Sequence, residues 1–117
     1  MVSSINNNLS ALTAFAKGLE VKANNIANIS SENFKKSRAV NVEGENGAVK
    51  VEISKVDTDS NISLLNPAEN PIEAQPSNTD LTEEIPGMMM DRKGFQANLK
   101  LIETKEEMLG SVLDLIA

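Results

Sequence analysis

Leu81-Thr82-Glu83-Glu84-Ile85-Pro86-Gly87-Met88-Met89-Met90-Asp91-Arg92-Lys93-Gly94-Phe95, with its continuation to Ile116, decides the fold. Leu81, Ile85, Met88, Arg92, Phe95, Leu99, Ile102, Glu106, Leu109, Leu113 and Ile116 follow one another in alternating steps of four and three. Only Arg92 and Glu106 break the apolar series. A repeat of 3.5 residues is the seam of a coiled coil. The same stepping runs through the other end of the chain, at Ile5, Leu9, Leu12, Ala16, Leu19, Ala23 and Ile26. Two seam helices at the termini predict a mainly α protein whose ends pair with each other and with neighbouring molecules.

Outward from the seams, the first helix is predicted over Ser4–Ser31, capped by Ser3 or Ser4 and weakened in its interior by Gly18. The second is expected from Asp80 to about Leu115. Asp80 and Glu83 there resemble a capping box. Pro86 removes a backbone donor, so the helix should kink near Glu83 or restart at Pro86. Between the helices, Arg38–Glu43 and Ala48–Val56 alternate around the turn signal Gly44-Glu45-Asn46-Gly47. Val49, Val51 and Ile53 should share one face, which the alternation extends to Lys55. Pro67, Pro71 and Pro76, interspersed with Asn, mark an extended Pro/Asn-rich connector. The expected organisation is 1–36 helix, 37–56 β-hairpin, 57–79 connector and 80–117 helix. A second apolar line, Leu101, Met108, Val112 and Leu115, exceeds what a two-helix contact needs and points to further partners.

Composition narrows the chemistry. The 117 residues contain no Cys and no His, which removes thiolates and the commonest general base and metal ligand. Glu83/Glu84 and Glu106/Glu107 are adjacent on a helix and diverge, so neither pair makes a site. No enzyme activity, cofactor or metal is predicted. Net charge is +3 over residues 1–38, −8 over 39–84 and −1 over 85–117. The acidic middle argues against nucleic acid. No stretch approaches the ~20 apolar residues of a membrane span. The first residues lack the basic start and apolar run of a cleavable signal. The expectation is therefore a cytoplasmic chain, or one exported without a classical signal.

Ala23-Asn24-Asn25-Ile26-Ala27-Asn28 places three Asn, poor interior helix formers, within five residues. Either they cap and fray the helix end, or Asn24 and Asn28, on one face, bind a neighbouring helix or the outgoing loop. This motif, with the Ser/Thr-rich turn and Phe34-Lys35 after it, resembles the N-terminal signature of the bacterial flagellar rod and hook proteins. Ser77-Asn78-Thr79-Asp80-Leu81, Asp91-Arg92-Lys93-Gly94-Phe95-Gln96-Ala97-Asn98 and Thr104–Leu109 are similar to that family's C-terminal signature. The two stretches span roughly two-thirds of the chain. Pro86-Gly87 and Met88-Met89-Met90 depart from the family pattern.

The resemblance implies a structural subunit of the flagellar rod or hook, exported unfolded through the flagellar type III apparatus into the periplasm-spanning basal body. Its partners would be other rod and hook subunits and further copies of itself. The candidate assembly residues are Leu9, Leu12, Asn24, Asn25, Ile26, Asn28, Phe34, Leu81, Arg92, Phe95, Asn98 and Leu109. Arg92, on the seam, should either bridge to a neighbour or lay its stem along the seam with its head in water. Before assembly the ends should be loosely ordered. The alternative is a soluble helical-hairpin adaptor or regulatory paralogue that does not polymerise.

Overall fold

The computed structural model describes residues 2–58 and 75–117. Helix α1 covers Val2–Ala27, strands β1 and β2 cover Ser37–Glu43 and Val49–Lys55, and helix α2 covers Leu81–Ile116. The protein is mainly α with one small antiparallel hairpin. Most of the expected connector lies outside the described residues.

Each boundary has a local cause. Asp80, in extended conformation, accepts hydrogen bonds through Oδ1 from Thr82 N (2.9 Å) and Thr82 Oγ1 (2.6 Å), and so caps α2. The reciprocal half of the predicted capping box does not form. The Glu83 carboxylate instead accepts from Lys36 Nζ at 2.7 Å, because a cation offers a stronger partner than a backbone amide. α2 is one helical element from Leu81, with Pro86 inside it. Only one intrahelical donor is lost there, close to the helix start. α1 ends four residues before the expected Ser31 and one after the last seam residue, at Ala27, where Asn28 folds its side-chain Nδ2 back onto Asn24 O at 2.9 Å.

The hairpin pairs Ser37 with Lys55 through to Glu43 with Val49. Its turn needs left-handed backbone at Asn46 (φ 58°) and Gly47 (φ 77°), residue types that tolerate it. The hairpin lies along α1. At its tip, Asn7 Nδ2 donates to Asn46 O (3.2 Å) and Val49 N donates to Ser10 Oγ (3.0 Å). Val49, Val51 and Ile53 do share the face turned toward α1.

The helices pair antiparallel. Lys22 Nζ meets Asp91 Oδ2 at 2.7 Å near one end, and Lys105 Nζ bonds Ser4 near the other. Glycine permits the close approach. A Cβ at Gly94 would lie 2.5 Å from the Phe15 ring, and one at Gly18 would lie 2.6 Å from the Asp91 carboxylate. The helix-weakening Gly18 lies where Asp91 crosses, and a side chain there would make the Asp91 carboxylate shift. The core is small. Its buried apolar side chains, Leu12, Ala14 and Val21, all belong to α1, which is sandwiched between α2 and the hairpin.

Candidate assembly surface

The seam stripes divide rather than close on each other. On α1, Leu12 is buried and Ile5, Leu19 and Ile26 are half-buried, whereas Leu9, Ala16 and Ala23 are exposed. On α2, Met88, Phe95, Ile102 and Leu109 are half-buried, whereas Leu81, Ile85, Arg92, Leu99, Glu106, Leu113 and Ile116 are exposed. The partition follows the heptad. One of the two seam positions faces the partner helix and the other faces solvent.

The reason lies in what flanks the inward line of α2. Glu84, Asp91, Asn98 and Lys105, one heptad apart, are the residues α2 turns inward beside it. Asp91 and Lys105 find polar partners on α1, and the helix is rotated toward them. The outer seam line is left uncovered, with Leu99 at 46 % and Leu113 at 63 % exposure. Covering a Leu-sized side chain completely contributes about 1.5–3 kcal/mol, so each half-exposed one retains on the order of 1 kcal/mol that a neighbour can supply.

Arg92 belongs to the uncovered line. It is exposed and makes no ion pair among the described residues. Phe95 points inward on the other line, and Asn98 Nδ2 donates to Gly94 O at 3.1 Å. Met89 and Met90 are exposed rather than core filling.

The Asn-rich signature does different work from the seams. Asn25 is completely buried. Its Nδ2 donates to Ser37 O (2.8 Å), and its Oδ1 accepts from Ser37 N (2.9 Å). The side-chain amide acts as a strand partner for the first residue of β1. Asn24 is exposed and engaged only through its carbonyl, to Asn28. Asn28 Oδ1 also accepts from Ser31 Oγ at 3.1 Å. The Asn28 side chain therefore closes the end of α1, and Asn25 reaches the outgoing loop.

Asn78, in the second signature, repeats the device. Its Oδ1 accepts from Lys36 N (2.6 Å) and its Nδ2 donates to Val56 O (2.8 Å), closing the hairpin root. Its own N–H faces Phe34 O at 3.4 Å. Asn33, in left-handed conformation, exchanges bonds with the Gln75 backbone, donating to its O (2.6 Å) and accepting at Oδ1 from its N (3.1 Å). The two signatures thus meet in space, at a base formed by the end of α1, the hairpin root and the start of α2. Asn78, Asn33, Asp91, Gly94 and Ser37 were absent from the sequence-derived candidates. Asn78, Asp91 and Gly94 stand inside quoted motifs, but nothing in one sequence says which backbone an Asn will bind.

Electrostatics reinforce the base. The hydrogen bond and charge of Lys36 hold the Glu83 carboxyl below its usual range. The hydrogen bonds from Thr82 hold Asp80 below its own. Beyond the Lys105–Ser4 contact the character reverses. Met108, Val112, Leu113, Leu115 and Ile116 are all exposed on a bare helical tail.

No group of His, Cys, Asp or Glu among the described residues could hold a metal, and no described helix is long and apolar enough to cross a membrane. The arrangement is a polar, hydrogen-bonded base carrying two helices with apolar faces left open. Residues 5–35 match the flagella basal body rod protein family, and residues 76–115 match the flagellar basal body rod FlgEFG protein C-terminal family. No individual curated protein matches the chain. The chain belongs to the flagellar basal-body rod and hook family, whose members are structural components of the motility apparatus.

Proposed function

We propose that this chain is a structural subunit of the flagellar rod or hook, built into the axial structure by packing its two terminal helices against neighbouring subunits. The observation that carries the reading is the uncovered seam line on each helix, an apolar row at helix-packing spacing. The residues that would meet neighbours are Leu9 on α1 and Leu81, Arg92, Leu99 and Leu113 on α2. Leu12, Ile26 and Phe95 would hold the pair together. Asn25, Asn28, Phe34 and Asn78 would set the hairpin at its angle. Seam pairing of the coiled-coil kind would then arise between subunits, completing the half that each molecule lacks. Other rod and hook subunits and further copies of this chain are the partners, and type III export would deliver it to the periplasm-spanning basal body.

Deletion of the gene in its host, with motility and purified basal bodies as readouts, tests the reading. Loss of swimming and of complete basal bodies is expected, with rescue by the native gene and failure of rescue by Leu99→Asp/Leu113→Asp. Normal motility and intact basal bodies after deletion would contradict it. That result would favour the soluble adaptor.

A further inference from the structure

The geometry points to a specific self-contact: the α2 tail of one molecule, residues 106–116, seats in the groove between α1 and β2 of a second copy. This deepens the assembly reading above and rests on it. The groove is an open apolar valley lined by Leu9, Thr13 and Lys17 of α1 and by Val49, Val51 and Ile53 of β2. Leu9 is 57 % exposed and Ile53 about half exposed, although both sit between two elements of the same molecule. β2 overhangs the edge of α1 and leaves room beside it. The groove needs a third element to close it.

The occupant is argued from length, pattern and charge. α2 has 36 residues and α1 has 26, and Lys105 already lies level with Ser4 at the start of α1. The last turns of α2 therefore project past α1, roughly 15 Å at 1.5 Å per residue. The groove along α1, from Asn6 to Lys17, has about the same length. Met108, Val112 and Leu115 recur at i, i+4, i+7 on the tail, the spacing by which a helix fills a groove. From Glu106 onward the tail carries Glu106, Glu107 and Asp114 and no basic residue. The facing half of α1, residues 2–19, carries Lys17 and no acidic residue. Lys17 is held only by an exposed pair with Glu20, which is readily exchanged for a carboxylate of the tail. The α2 C-terminus and the α1 N-terminus also have opposite dipole ends.

Tail and groove are different surfaces at the same end of the molecule, so the contact is heterologous. A tail that reaches past its own α1 into the next groove leaves that copy's tail free for a third. The result is an open, helical series rather than a closed pair.

Complementary blocking tests the contact on the full chain. Val112→Asp/Leu115→Asp blocks the tail, and Val51→Asp/Ile53→Asp blocks the groove. Sedimentation and light scattering over a concentration series should show that the native chain associates beyond a dimer. Each blocked variant alone should associate at least tenfold more weakly, and the two mixed should stop at a one-to-one dimer. Circular dichroism of each variant checks that it is folded. If groove substitution unfolds the chain, Lys17→Glu serves in its place. If the blocked variants associate as the native chain does, the tail–groove contact is wrong while assembly through the outer seam stands. If the native chain stays monomeric at millimolar concentration, both the contact and self-assembly fall. A closed native dimer would overturn the heterologous geometry.

Discussion

The base and the tail of this molecule solve opposite problems. At the base, Asn25, Asn33 and Asn78 replace missing backbone partners with side-chain amides, and a buried Asn25 is tolerated because both its polar atoms are satisfied. At the tail, Leu115 is 86 % exposed and Ile116 78 %, with no described residue to cover them. What separates the two regions is where each finds its partners. The base is complete within one chain. The tail and the outer seam line are complete only against another.

Substitutions should divide along that line. The largest effect is expected at Asn25→Leu, which leaves Ser37 N–H and C=O buried without partners. At about 1–3 kcal/mol per orphaned group, a loss of about 2–6 kcal/mol is expected in urea unfolding. Gly94→Val should cost about 1–3 kcal/mol, because the added side chain must displace the Phe15 ring and part the helices. A native-like denaturation midpoint for either variant would break the picture of a locked base and a close helix crossing. Gly110→Ala should move the other way. A Cβ there meets nothing within 4 Å, so only helix propensity changes, and the tail should gain up to about 1 kcal/mol of helix stability, visible as increased helicity at unchanged base stability.

The smallest effect is one of pH. Glu83 and Asp80 ionise at lower pH in the folded chain than in the unfolded one. Their contribution is full above the ordinary carboxylate range and fades as pH falls through their lowered values, below about pH 4. The base should therefore weaken in acid. Glu83→Gln should flatten the acid limb of a plot of thermal midpoint against pH. Glu83 is largely solvent-exposed, so the change will be modest. A steeper acid limb in the variant would contradict the assigned sign.

How much of this was legible in sequence also differs between the two regions. Helices at both ends and the hairpin follow from periods of 3.5 and 2, and Asp80 as a cap follows from its chemistry. The same periodicity says which residues lie on a seam, but not which half of it a neighbour covers. That choice was made by Asp91 and Lys105, whose α1 partners Lys22 and Ser4 are about 70 and 100 residues away. Glu83 was read as a reciprocal cap and was drawn instead to Lys36, 47 residues upstream. Asn24, Asn25 and Asn28 look alike as candidates in sequence, and only Asn25 holds the strand, through Ser37. In each case the local pattern is right, and a long-range polar partner decides its use.

Amide hydrogen exchange, followed by residue in the dilute chain and again at concentrations where it associates, tests the central claim most directly. The account predicts slow exchange at the base, including Ser37 and Lys36, in both states. It predicts fast exchange over residues 106–116 in the dilute chain, with protection appearing on association. A tail already as protected as the base in the lone molecule, or one that gains no protection in the assembled state, would contradict it.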